Sequence, residues 1–299
     1  MPSPKVTLDQ WRTLAAVVDH GGFAQAAERL HRSQSSISYT VAKLQEQLGM
    51  QLLVTEGRRS RITPAGTLLL ERARALVDEA ARLEQLAHNV EAGWEPEIRL
   101  VVDAAFPGDV LMRGLRAFAP RSRGSHVRLE EVILSGADEA LQEGLADLAI
   151  GSRVPPGFLG DTLLEIEFVA VAHPDHPLHL LGRPLTQTDL KRELQVVIRD
   201  SGQRQPRDVG WLGPELRWTV THFDTALSAV RNGLGFGWLP RHQVAALLGG
   251  GDLLPLPLRQ GAVYRSPLYL IPGHPDRPGP ATLELADCLR AACAATDAP

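Results

Sequence analysis

FAQAAERLHRSQSSISYTVAKLQEQLG, residues 23–49, contains two short helical patterns broken at HRS. In the first, Phe23, Ala26, Ala27 and Leu30 recur at i, i+3, i+4 and i+7, the period of a helix with one apolar face. The second opens after Ser33, whose hydroxyl suits a helix N-cap, and its apolar face is Ile37, Val41, Leu44 and Leu48. At about 100° per residue the opposite face holds Ser35, Ser38, Tyr39, Ala42 and Glu46, with Gln34 at the N-terminal tip. A core helix has no use for so short, polar and lightly charged a flank. A helix that enters a groove of DNA and approaches base edges does, the alternative being a plain solvated face.

The flanking residues extend this pattern. Leu8, Trp11, Leu14, Ala15 and Val18 predict a helix over 8–20, with Thr7 and Gln10 spaced as a capping box and Gly21-Gly22 as its stop. Helices over 8–20, 23–30 and 34–48, with a tight turn before the last, make a helix-turn-helix. LLVTEGRRSRITPAG, residues 52–66, reads as a hairpin wing with strands near 52–54 and 61–63. Its Arg58, Arg59 and Arg61 would carry positive charge toward a phosphate backbone, or stand in a solvated loop.

Taken together, FAQAAERLHRSQSSISYTVAKLQEQLGMQLL, GRR and ITPAG resemble the winged helix-turn-helix of LysR-type transcriptional regulators over about residues 8–70. Position by position, the resemblance implies that Gln34, Ser35, Ser38 and Tyr39 face base edges. It implies that Ser33, Thr40, Lys43, Arg58 and Arg59 hold phosphates. The chemistry agrees, since amides and hydroxyls pair with base edges while cations supply salt-dependent affinity. The chain departs from the family where proline is common near Ser35 or Ser36, where arginine is common near Tyr39, and at Thr55.

Thr63-Pro64 starts a further helix with proline at its first position, and no other proline follows until after Glu91. Leu69, Ala73, Leu76, Ala80, Leu83, Ala87 and Val90 alternate steps of four and three, a heptad seam. Some 28 residues at about 1.5 Å each make roughly 42 Å of helix. A second copy is the simplest partner for a stripe of that length, packing along the same chain being the alternative. The resemblance likewise implies a dimer through this helix and a tetramer built from two such dimers. A two-fold dimer would read an approximately palindromic duplex, with RNA polymerase as a candidate further partner.

Beyond GWEPE, residues 93–97, strand and helix patterns alternate, which predicts mostly parallel sheet covered by helices. The expected fold is thus an N-terminal all-α winged helix-turn-helix (residues 1–63), a dimerising linker helix (64–92) and a C-terminal α/β effector-binding domain (93–299). The last resembles the family's periplasmic-binding-protein type, with two Rossmann-like subdomains of about 96–167 plus 272–299 and about 168–271. Long strands at 163–172 and 263–271 would be the crossovers. A small effector would sit between the subdomains, at strand C-terminal ends and helix N-termini, where free N–H groups suit an anion. Candidates on one side are Ala105, Phe106, Ser135, Gly151 and Ser152, and on the other Arg199, Asp200, Ser201, Thr221, His222 and Phe223. Ser135 with Asp138 also reads as a cap, and Arg199 with Asp200 as an ion pair.

With 299 residues, 44% hydrophobic and 22% charged, the chain has room for two or three globular domains. Net charge is −4, but Lys and Arg number eight against five Asp and Glu over residues 1–66, and 20 against 25 over residues 93–299. A basic head on an acidic body fits phosphate contact by one domain only. No apolar run reaches the ~18–20 residues of a membrane span, and the N-terminus has no signal-peptide pattern, so a cytoplasmic location and no membrane partner are expected. Cys288 and Cys293 read as reduced thiols. His173, His176 and His179 are split by Pro174 and Pro177, which argues against both a helix and convergent metal ligands. GLGFG at 233–237 precedes a strand instead of following one, and neither GxSxG nor HExxH occurs. No cofactor, metal or enzymatic activity is expected.

Overall fold

The computed structural model describes residues 3–56, 59–210, 213–274 and 278–295, and the chain divides into two compact units, Met1–His88 and Asn89–Pro299. In the first, α1 (Leu8–Asp19), α2 (Phe23–Arg29) and α3 (Gln34–Leu48) precede β1 (Leu53–Glu56), β2 (Arg59–Ile62) and α4 (Pro64–Glu91). The Thr7–Gln10 capping box forms: Gln10 N–H donates to the Thr7 hydroxyl and Thr7 N–H to Gln10 Oε1. Ser33 caps α3 by accepting from Ser36 N–H. Between α2 and α3 the chain turns at His31, which takes φ 51° and lets Arg32 N–H reach back to the Ala27 carbonyl. Leu14, Ala26, Ile37, Val41, Leu44, Leu52 and Leu70 are buried together as the core of this unit.

The wing is anchored twice. Gln45 Oε1 accepts from Leu52 and Leu53 N–H at 2.7 and 2.9 Å, which fixes the start of β1 on α3. Thr63 N–H donates to the Leu52 carbonyl, and the Thr63 hydroxyl accepts from Gly66 N–H to start α4. The strands are longer than expected, pairing from Leu53 with Ile62 to Glu56 with Arg59. Arg58 lies outside the described residues.

In the second unit, β3 (Glu97–Asp103), α5 (Gly108–Phe118), β4 (His126–Val132), α6 (Gly136–Gln142) and β5 (Leu148–Gly151) come first. The long strand β6 (Asp161–Ala172), α7 (Pro177–Leu180), α8 (Gln187–Leu190), β7 (Gln195–Ile198) and β8 (Arg217–Val220) follow. The remainder is α9 (Phe223–Arg231), β9 (Phe236–Pro240), α10 (Arg241–Gly250), β10 (Leu254–Pro255), β11 (Val263–Pro272) and α11 (Pro280–Ala294).

The strands hydrogen-bond in one mixed, nine-stranded sheet of order β4-β3-β5-β11-β6-β9-β7-β8, with β10 on β6. The long strands β6 and β11 pair antiparallel down its middle, and one end of each serves a different flank: β11 pairs β5, and β6 pairs β9. Among the described strands, parallel pairing joins β3 to β4 and β5, and β7 to β8 and β9. The last helix returns to the first flank. Its N-terminal Ala281 and Thr282 N–H groups donate to the Glu95 carboxylate, and Leu289 packs against Gly114 of α5. Cys288 and Cys293 are free thiols buried in this core.

Two local readings need correction. Pro177 does not prevent a helix; it begins the short α7 at the first helical position, where a missing N–H costs nothing, with His176 as the cap. The sequence pattern over 186–194 reads as one helix, but only the single turn Gln187–Leu190 forms.

The join between wing and α4 yields a prediction. A Cβ on Gly66 would stand 2.4 Å from the Leu52 carbonyl oxygen and 2.8 Å from the Ile62 side chain, so backbone must move to admit it. Gly66→Ala is expected to destabilise the head by about 1–3 kcal/mol, measured as a lower chemical-denaturation midpoint.

Candidate functional site

Helix α3 presents its polar flank outward. Gln34, Ser35, Ser38, Tyr39, Ala42 and Lys43 are exposed, with Tyr39 at 67%, while Ile37, Val41 and Leu44 hold the helix in the core. Lys43 Nζ lies 6.0 Å from the centre of the Tyr39 ring, one turn away on the same flank. The Ser33 hydroxyl is exposed at the tip beside the Ser35 hydroxyl, 3.0 Å away. Thr40 is a different case and corrects the expected phosphate contact. It is buried, and its hydroxyl donates to the Ser36 carbonyl, so that proton is not available to a phosphate. Arg32, which sequence reasoning passed over, reaches Thr40, Ser36 and Asp9 and ties α1 to α3. Its signal was position: a cation in the turn immediately before a cap.

Along α4 the start of the seam is used within the head, where Leu69 is half-buried and Ala73 is buried beside Leu70. Further on, Leu76, Leu83 and Val90, seven residues apart, are 59%, 68% and 53% exposed.

In the second unit, two of the cavities among the described residues take in candidate effector residues. The narrower, about 60 Å3, is lined by Asp103, Ala105, Leu134, Ser152, Phe168, Gln195, Phe223, Trp238 and Tyr264 among others. The wider, about 460 Å3, is lined by Phe106, Arg199, Ser201, Thr221, His222 and Phe223 with their neighbours. Of the candidate effector residues, Ala105, Ser152 and Phe223 thus meet at the first, and Phe106, Arg199, Ser201, Thr221, His222 and again Phe223 at the second. Gly151 lines neither; it sits in β5 against Ala137.

Ser135 and Asp200 are also absent from both linings, because they are buried on each other. Ser135 donates its N–H and its hydroxyl to the Asp200 carboxylate at 3.0 and 2.7 Å. Gly202 and Arg207 N–H donate to the same carboxylate at 2.9 and 2.6 Å. Asp200 therefore pairs with backbone and with Ser135, and not with Arg199, which makes no ion pair among the described residues. The rest of this loop is tied down as well. The Ser201 hydroxyl exchanges hydrogen bonds with Ile133, Gln203 and Arg204 N–H donate to Glu139, and Arg207 reaches Ser152 and Asp138. Those two N–H groups hold Glu139 below the usual carboxylate range. Nor does Ser135 act as the expected cap with Asp138, which instead binds Arg153 at 2.9 and 2.6 Å.

Asp103 is the residue the sequence reading missed. It ends β3, 3% exposed, and accepts from Ala105 N–H and from Leu134 N–H, the latter aimed by Leu134's left-handed φ of 52°. Burial pushes its carboxyl up to about 6 despite those two donors. Burial, and then the Asp103 charge, also raise the phenol of Tyr264. A carboxylate closing the apolar strand IRLVVD is the sequence signal that was available.

Comparison with known proteins now fits this geometry. Residues 8–67 match the bacterial regulatory helix-turn-helix proteins of the lysR family, and residues 91–294 match the LysR substrate binding domain. The chain is a LysR-type transcriptional regulator. It is 34% identical over 255 residues to the uncharacterized HTH-type transcriptional regulator YeeY of Escherichia coli K12, covering 84% of this chain and 82% of that one. To the probable HTH-type transcriptional regulator YhaJ of the same strain it is 31% identical over 253 residues, covering 83% and 85%. Full-length LysG of Corynebacterium glutamicum, solved with bound effector Arg, shares the fold at a TM-score of 0.51 and 20% identity, covering 96% and 98%. A LysR-type regulator binds DNA through its head, carries an effector-binding domain and forms oligomers; its relatives are named as regulators, not enzymes. No described helix is long and apolar enough to cross a membrane.

The position of Asp103 sets a pH dependence. Between its ordinary range near 3.8 and about 6, the folded state holds a proton that the unfolded chain has released. Its stabilising contribution is therefore present in acid and lost as pH rises through 6, on the order of 3 kcal/mol in all. Asp103→Asn is expected to flatten the fall in unfolding free energy between about pH 4 and 6 relative to wild type, read from denaturation curves at each pH.

Proposed function

We propose that this regulator reads duplex DNA with Gln34, Ser35, Ser38 and Tyr39, dimerises through the exposed 76/83/90 seam, and responds to a small molecule in the cleft of its second unit. The observation that carries the reading is the outward, lightly charged flank of α3: its donors and acceptors are exposed while its apolar side is consumed by the core. Ser33, Lys43, Arg58 and Arg59 would supply the sequence-independent phosphate contacts. Two copies related by a two-fold axis would present two α3 helices to an approximately palindromic duplex in the cytoplasm, and two dimers would make the tetramer the resemblance implies.

The seam fits a second copy because three large apolar side chains at heptad spacing are left uncovered, and each loses water contact only against another helix. Leu83→Asp is expected to weaken self-association at least tenfold by analytical ultracentrifugation, since burying a leucine contributes about 1.5–3 kcal/mol. An unchanged association constant would transfer dimerisation to another surface.

Base and phosphate contacts separate by their salt dependence. With duplexes selected from a random pool, Ser38→Ala and Tyr39→Ala should lower the preference for selected over random DNA by roughly 1–3 kcal/mol each. Lys43→Ala should weaken both alike and reduce the slope of log K against log salt by about 1. Equal losses on both DNAs for Ser38→Ala and Tyr39→Ala would rule out base readout by this flank.

A further inference from the structure

The wider cavity carries charge that the chain itself does not neutralise. Three formally charged residues line it: Glu131 of β4 from one flank, and Arg199 after β7 and Asp224 in the first turn of α9 from the other. All three are exposed, and none of their side chains makes a hydrogen bond or ion pair among the described residues. The guanidinium and the two carboxylates thus share one space without touching. The charges beside the cavity behave differently: Asp138 binds Arg153, Glu139 accepts from Gln203 and Arg204 N–H, and Asp200 takes four donors.

The space between these charges is partly apolar, with Phe106, Ile133 and Phe223 in its lining. Glu131 pairs with Val102 and so shares the face of the sheet on which Val102 and Phe106 pack. Low-polarity walls strengthen the field that fixed charges exert on a bound ion. The balance of sign narrows what fits. One arginine against two acids leaves the lining at −1 with His222 neutral. A ligand that is only an anion gains from Arg199 and is repelled by Glu131 and Asp224. One that is only a cation meets the converse. A molecule with both charges gains at both ends. At about 460 Å3 the cavity is also the size of a small-molecule site, about 300–1,000 Å3, which the narrower one at about 60 Å3 is not. The donors at Ser135, another place expected for an effector carboxylate, are spent on Asp200, which leaves Arg199 as its partner.

We propose that the effector of this regulator is a zwitterionic amino acid with an apolar body, its carboxylate on Arg199, its ammonium group on Glu131 and Asp224, and its body against Phe106 and Phe223. The proposal rests on the reading that the second unit senses a small molecule, and narrows that reading to a class. It replaces the simple anion with a zwitterion because the acids lining the cavity outnumber the arginine. Since the three charges come from both flanks, one such molecule contacts both at once.

Thermal unfolding of the full chain separates the classes with two sets of probes matched in shape. L-phenylalanine is compared with 3-phenylpropanoate, which lacks the amine, and 2-phenylethylamine, which lacks the carboxylate. In the second set, 6-aminohexanoate, with its charges at opposite ends, is compared with hexanoate and hexylamine. At least one zwitterion is expected to raise Tm in proportion to the logarithm of concentration, with each of its singly charged analogues at least tenfold weaker. Arg199→Gln should weaken that zwitterion at least tenfold and leave the matching amine no weaker. Glu131→Gln combined with Asp224→Asn should weaken it likewise and leave the matching carboxylate no weaker. All three positions are exposed, so the unliganded Tm should move little, and the opposite responses of the two analogues distinguish charge recognition from a loss of structure. An analogue that binds as tightly as its zwitterion, or a zwitterion affinity unchanged by either variant, would overturn the proposal. Silence of all six probes, with DNA binding still altered by a small-molecule cell extract, would overturn the class and leave the sensor reading intact. Silence of the probes and of the extract would overturn both.

Discussion

One carboxylate organises the cleft. Asp200 follows the end of β7 and accepts four hydrogen bonds from Ser135, Gly202 and Arg207 in a buried site. A buried charge survives only where donors replace its hydration. Here Ser135 supplies two of those donors from the opposite flank of the sheet, so satisfying the charge requires closing one flank onto the other. The loop that follows is then held against α6 through Glu139, and Arg207 is brought to Ser152 and Asp138. Both cavities take their shape from that closure.

The head depends on a comparable economy at smaller scale. Gln45 and Thr63 each serve two partners across the wing, and Gly66 permits α4 to start against the Leu52 carbonyl with no intervening side chain. Polar groups of α3 that face inward are thereby consumed, while those that face outward at Gln34, Ser35 and Ser38 are left exposed. This asymmetry lets a helix be both a core element and a reading surface.

Features carried by short-range spacing were legible in the sequence. Thr7 and Gln10, Ser33 and the Pro64 start of α4 involve residues a few positions apart, so their pattern is written locally. The uncovered seam was legible too, because a heptad repeat does not need the fold to be known. Pairings between distant residues were not. Ser135 and Asp200 lie 65 positions apart, and nothing in GADEA or RDSG indicates that one would consume the other. Gln195 opens a strand of Val, Val and Ile and reads as a boundary residue; only the register against Phe236 brings it to the narrow cavity. Pro177 misled for another reason, since proline forbids the interior of a helix but favours its first position.

The closed loop also limits how a ligand can act. A small molecule shifts a conformational equilibrium only by the difference in its affinity for the two states. In the narrow cavity such a difference is available, because the same loop that Asp200 secures contributes Val209 and Gly210 to the wall, while Leu134 and Asp103 come from the other flank. A molecule touching both walls gains contacts when they are together and loses them when they part. Asp200 stabilises the closed arrangement without any ligand, so the effector need not create closure. It has only to bind the closed arrangement more tightly than an open one to shift the balance between them.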